Sequence, residues 1–207
     1  MAMASPLEAA PHTLVIGCGA LARELLALTA DLPGVKVVAV DARLHNRPER
    51  IAGAVKRRIA RARREHGDDI RLFVAYADCG TGGALDAMLA DEGVERLPGE
   101  HCFELYAGAK AYAALQDAEL GTFYLTDFLA RQFETLVIVG LGLDRHPELL
   151  PLYFGNYTRL VYLAQTDDLE LTRRAEAAAA RLGLRFERIR TGYGELAAPI
   201  QALARPA

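Results

Sequence analysis

The chain has 207 residues, of which 52% are hydrophobic, 25% charged and 7% aromatic, a composition that suits one soluble globular domain and excludes disordered and collagen-like classes. With 24 Lys and Arg against 27 Asp and Glu, the formal charge of -3 offers no general field for nucleic acid or an anionic membrane. No stretch of about 18 apolar residues runs unbroken, which argues against a spanning helix, and three cysteines cannot complete a disulfide framework.

The first eleven residues, MAMASPLEAAP, combine neither a basic nor an apolar segment and read as a flexible lead-in to a single domain over 12–207, with the cytoplasm as the expected setting. Thr13 to Ile16 predicts a strand that ends in Gly17-Cys18-Gly19, and Leu21, Leu25 and Leu28 then recur at helical spacing. Val35 to Val40 predicts a second strand, with Asp41 at its end and His45 just beyond. A helix follows over about 48–64, where Ile51, Val55 and Ile59 form a core face and the arginines and lysines a solvated one.

Ile70 to Ala77 predicts a third strand, which terminates in Asp78-Cys79-Gly80-Thr81-Gly82-Gly83 before a helix over 84–90. A short strand around Val94 to Leu97 leads into Glu100-His101-Cys102-Phe103-Glu104 and another helical stretch. From Thr122 to Leu141, apolar residues at three-and-four spacing favour one helix, although Leu136 to Val139 alone also suits a strand, and Pro147 opens a short helix. Arg159 to Ala164 and Leu184 to Ile189 are the last strands, separated by an Ala-rich helix over 169–182. This alternation predicts a single-domain α/β fold, Rossmann-like, with a mostly parallel sheet and helices on both faces.

In such sheets, ligands bind beyond the carboxyl ends of the strands. Cys18, His45, Cys79 and Cys102 follow four different strands at that edge, and thiolate with imidazole is the donor set of zinc or of an iron-sulfur cluster. A Cys3His metal site is therefore one expectation. A metal-free thiol enzyme using Cys18 or Cys79, with Glu104 or His101 as acid or base, is another. Buried, inert cysteines packed beside glycine are the plain alternative.

Gly80, Thr81, Gly82 and Gly83 form a candidate anion or cofactor cradle, because glycine lets backbone N–H groups approach a ligand at a helix start. It lacks the Lys-Ser/Thr ending of a P-loop, and Asp78 beside it suits a capping role. Gly17, Gly19 and Ala22 match a relaxed GxGxxA dinucleotide pattern with Asp41 as the ribose-binding acid, so NAD(P) binding is a further alternative.

CGAL at 18–21, LH at 44–45, DCGTGG at 78–83, HCFE at 101–104, GTFYLTDF at 121–128, LGLDRHPEL at 141–149 and YLAQ at 162–165 resemble the signature of a bacterial and archaeal family catalogued as a domain of unknown function. Cys18, His45, Cys79 and Cys102 all fall within that pattern, which favours a thiol site over dinucleotide binding. Members are often encoded near corrinoid-dependent methyltransferases. The resemblance thus implies one-carbon or methyl-group metabolism, with a small-molecule or cofactor ligand and a methyltransferase or corrinoid protein as partner, or an accessory role in cofactor delivery.

Overall fold

The computed structural model describes residues 11–204, so nearly all of the expected lead-in lies outside the described residues. Strand β1 (Thr13–Cys18) is buried at every position. That two-sided burial is the environment of a central parallel strand covered on both faces, and it explains the absence of polar alternation in its sequence. It pairs in parallel with β2 (Val35–Val40) and β3 (Arg71–Ala75), and β3 pairs with the short β4 (Glu95–Arg96), in the order β2-β1-β3-β4. Helices α1 (Ala22–Thr29), α2 (Ile51–His66) and α3 (Ala84–Glu92) connect these strands. The expected core face of α2 is present, with Ile51, Val55 and Ile59 fully buried. Lys56 and Arg63 on its polar side pair with Glu92 of α3.

The expectation of one sheet is corrected. Strands β5 (Thr122–Thr126), β6 (Arg159–Ala164) and β7 (Arg185–Arg190) form a second, separate parallel sheet in the order β5-β6-β7. The helix expected from Thr122 begins only at Asp127, as α6 (Asp127–Phe133), and continues as a π-helical segment over Glu134–Val139. Thr-Phe-Tyr-Leu-Thr is a β-branched and aromatic run of strand composition. Its Leu125 enters the same core as Phe133 and Val137, so residues from a strand and from a helix imitate one helical period. Two parallel sheets with helices packed around them still constitute a Rossmann-like α/β architecture.

Two segments join the sheets. Helix α4 (Cys102–Ala107) buries Leu105 and Tyr106 in the core of the first sheet. Its Phe103 and Ala107 pack against Tyr124, Val161 and Leu163 of the second. After α5 (Ala109–Ala118), α7 (Leu150–Phe154) and α8 (Leu169–Leu182), the chain crosses back, and α9 (Ala197–Ala202) docks on α1 with Leu196, Ile200 and Leu203 in the first core. Gly194 makes this return possible, because a Cβ there would lie 2.2 Å from the Tyr106 carbonyl oxygen. Ile200→Ala is expected to destabilise the protein by about 2–5 kcal/mol, measured as a lower urea midpoint with an unchanged denaturant slope.

Candidate functional site

Parallel pairing aims all strands of a sheet the same way, so β1, β2, β3 and β4 release the chain at one edge. Cys18 ends β1, and His45 lies in a 3-10 turn, Ala42–Asn46, directly after β2. Cys79 follows β3, and Cys102 opens α4 after β4. A cavity of about 210 Å³ gathers His45, Cys79, His101 and Cys102 from this edge, and Thr126, Phe128 and Leu129 from the second sheet close its opposite wall.

The His45 ring stands against Cys18, with Nε2 3.6 Å from Sγ. Its Nδ1 lies 2.8 Å from the Ala42 carbonyl oxygen. A carbonyl only accepts, so Nδ1 carries a proton and donates it; because Nδ1 also lies 3.9 Å from Cys18 Sγ, the sulfur stands beside the ring and off the Nε2 lone-pair axis. Burial works to lower the His45 pKa, but the interaction with Cys79 and the Ala42 hydrogen bond outweigh it and raise it overall.

Cys18 is buried, and that burial pushes its thiol up to about 11 despite the Ala20 N–H, which donates to Sγ at 3.3 Å. Burial likewise raises the Cys102 thiol, and the neighbouring Cys79 and Cys18 sulfurs add to the effect. Cys79 is the only non-glycine among the described residues with a positive φ, +53°. Left-handed backbone at a non-glycine residue costs free energy and persists where surrounding bonds impose it. Here Asp78 N–H donates to the Gly99 carbonyl and Cys79 N–H to that of Glu100, at 3.1 and 2.8 Å.

Asp78 organises the turn that follows. Its carboxylate accepts from the Thr81 hydroxyl and from the backbone N–H of Gly82 and Gly83, the latter two at 3.1 and 3.2 Å. The anion cradled by Thr81, Gly82 and Gly83 is thus the chain's own Asp78, while Gly80 packs near Pro48. Burial of Asp78 works to raise its pKa, and the bonds from Thr81, Gly83 and Gly82 together with the charge of Arg96 lower it on balance.

The dinucleotide-like residues are likewise engaged within the chain. A Cβ on Gly17 would lie 2.3 Å from Leu25, and one on Gly19 would lie 2.7 Å from the Val40 carbonyl oxygen, so both glycines serve close packing. Asp41 accepts from the Arg43 backbone and side chain, which caps the turn that carries His45. His101 lines the thiol cavity, whereas the Glu104 carboxylate turns back to accept from the Glu100 N–H at 3.0 Å.

Three further residues near the thiols escaped sequence reasoning. Tyr76 is fully buried, and its hydroxyl approaches Cys18 without completing a hydrogen bond of ordinary geometry. Glu24 on α1 is also buried, with Oε2 unpartnered, and burial raises its pKa. Asp127, fully buried where β5 ends, accepts from the Tyr162 hydroxyl and the Gln165 N–H at 2.7 and 2.9 Å. The only signals available for the first two were a tyrosine ending an aliphatic run and a lone acid on an apolar helix face. Asp127 lay inside a stretch with helical periodicity, which hid its place at a strand end.

Among the described residues, no three His, Cys, Asp or Glu side chains already stand in an arrangement that holds a metal ion. No described helix is long and apolar enough to cross a membrane. The sequence profile of one family, described as a protein of unknown function (DUF1638), matches residues 39–199. That span contains His45, Cys79 and Cys102 and begins after β1 and Cys18. No curated protein and no solved structure matches the chain.

Asp78→Ala is expected to cost about 2–3 kcal/mol by leaving the Gly82 and Gly83 N–H groups unpaired. Because its folded pKa is lowered, the stabilisation by Asp78 is fully present above about pH 4 and is lost as pH falls through the folded value. Urea melts of the two proteins across acidic pH therefore converge. In chelator-treated protein, iodoacetamide is expected to label Cys79 about tenfold faster than Cys18, whose thiol is buried and stays protonated. Peptide mass spectrometry over time reads the order.

Proposed function

The chain belongs to the DUF1638 family, and from the geometry of its strand-end cleft we propose that it is a metal-binding protein in which Cys18, His45, Cys79 and Cys102 take one zinc ion. The observation that carries this reading is the convergence of the four side chains on one sheet edge, where the His45 ring stands 3.6 Å from Cys18 Sγ and interacts with Cys79. Bonds of about 2.3 Å to sulfur and 2.0 Å to nitrogen, meeting at a tetrahedral angle, place two donors about 3.5 Å apart, and a turn of the His45 ring would bring its Nε2 lone pair to bear on such an ion. The Ala42 carbonyl supplies the partner that a ligating imidazole needs on its other nitrogen. The unpartnered Tyr76 hydroxyl is a donor in waiting for the negative charge that a Cys18 thiolate would carry.

Closure of the remaining coordination is coupled to loss of thiol protons. A divalent cation offsets the cost of burying thiolates. Were one of these ligands to yield its position to substrate, zinc would supply Lewis acidity toward a substrate thiol or water, whereas four protein ligands make a closed, structural centre. A thiol activated in this way is the nucleophile that alkyl transfer requires, which is how the proposal extends to one-carbon metabolism with a methyltransferase or corrinoid protein as partner. A nitrogen donor among the four favours mononuclear zinc over an iron-sulfur cluster.

A second reading is favoured by the left-handed backbone at Cys79. A thiol on a strained strand-to-helix turn, facing an oriented imidazole, is the arrangement of a Cys-His nucleophile and base without metal.

Anaerobic purification, elemental analysis and an absorption spectrum separate these readings. One zinc per chain is expected, lost in Cys18→Ser and in His45→Ala, with two to three protons released on rebinding, about one per thiol. An iron-sulfur absorption band replaces zinc by a cluster. A metal-free protein that rejects added zinc, while Cys79 alkylates with a pH dependence that His45→Ala removes, establishes the thiol nucleophile instead.

A further inference from the structure

The thiol cavity opens into a second, larger one. A groove of about 450 Å³ shares His45, His101, Phe103 and Leu129 with it and runs outward along β5, an edge strand of the second sheet. Its volume lies within the range of small-molecule sites. None of the side chains lining it is Asp, Glu, Lys or Arg, in a chain that is 25% charged. By contrast, the cavity between α5 and the end of β7 carries Arg190 and Glu195. The cavity between α6 and α8 carries Arg131, Glu134, Arg174 and Arg181.

Two aromatic clusters make up much of its surface. Phe103, Tyr124 and Tyr112 contact in sequence as tilted rings with centroids 5.5 and 5.3 Å apart. Phe123, Phe154 and Tyr157 contact one another at 5.3 to 5.8 Å. Its amides are already engaged. Gln116 accepts from the Tyr124 hydroxyl at 3.1 Å, and Asn46 donates to the Leu136 carbonyl at 3.3 Å. That carbonyl belongs to the π-helical segment, whose Leu136 and Val137 also face the groove. At the rim, Leu120 is 87% exposed, an apolar side chain left in water beside an apolar surface.

We propose that this groove binds the body of the substrate, and that the substrate is an uncharged molecule with an aromatic or extended apolar body whose reacting end reaches the thiol and imidazole groups. The assignment rests on the strand-end cluster being the functional site, and it names what that site receives. A carboxylate, phosphate or ammonium lying along β5 would lose hydration with no carboxylate, lysine or arginine to meet it, since the two histidines of the lining, His45 and His101, stand at the end shared with the thiols, whereas flat apolar surface gains contact with both aromatic clusters.

Fluorescence titration with naphthylmethanol, naphthoate and naphthylmethylamine tests the proposal with one aromatic body and three charges. The neutral alcohol is expected to bind about tenfold tighter than either ion, since a desolvated charge lacks a partner here. Tyr157→Ala is expected to weaken it about fivefold through loss of an aromatic contact. Gln116→Glu keeps the acceptor for Tyr124 and adds a charge, so it shifts preference toward the amine; thermal melting verifies that both variants fold. Equal binding of all three probes, no binding, or a preference that neither variant alters overturns the proposal. Zinc content of the same wild-type samples distinguishes the two readings. Neutral-probe preference without zinc retains the groove and removes the metal, and zinc without neutral-probe binding does the reverse.

Discussion

Parallel pairing is the constraint on which the rest of this protein depends. A parallel strand cannot turn back on its neighbour; it releases its chain at one edge, crosses over a face and re-enters at the opposite edge. In the first sheet that rule places the residues after β1, β2, β3 and β4 along one border, whatever their separation in the chain. The two fully buried central strands, β1 and β6, are apolar except for Thr13 and Arg159 at their starts and Tyr162, whose hydroxyl donates to Asp127. The chemistry-bearing side chains are accordingly concentrated where the strands end.

Helix α4 and the returning α9 then turn one sheet edge into a cleft. Because α4 packs on both cores, Cys102 at its start is held between the first sheet and the β5–α6 corner of the second. Thr126 and Phe128 from that corner complete a wall that the first sheet alone lacks. The enclosure changes the electrostatics of everything inside. Burial favours the neutral forms of Cys18, Cys102, Tyr76 and Glu24, and like-charged neighbours reinforce the shift at Cys18, Cys102 and Tyr76. Asp78 escapes that trend, because three donors from its own turn meet it at short range. The result is a strand edge at which the buried thiols of Cys18 and Cys102 are held in their neutral form.

Legibility differed from residue to residue for identifiable reasons. β1, β2 and α8 were readable because a long apolar run or a sustained period admits one interpretation. Cys18, His45, Cys79 and Cys102 were legible as a group because strand ends converge by rule. The cradle at residues 80–83 was legible as an anion-binding shape, but its anion was already present in Asp78, two residues before Gly80. Tyr76 carries no functional signal in the sequence, because a tyrosine just after a buried strand looks like core. Its orphaned hydroxyl becomes visible only when the surrounding volume is filled.

The amino-acid sequence by itself determined the alternating α/β class, the positions of the strand ends and the residue types placed there, since these depend on local period and on the one-way exit of parallel strands. Tertiary structure alone decided that there are two sheets, that Thr122–Thr126 is a strand, and that Glu24 and Asp127 lie buried near the thiols. Those outcomes turn on long-range pairing and on the docking of α4 and α9, where the partner of each segment lies far along the chain and local preference carries no record of it.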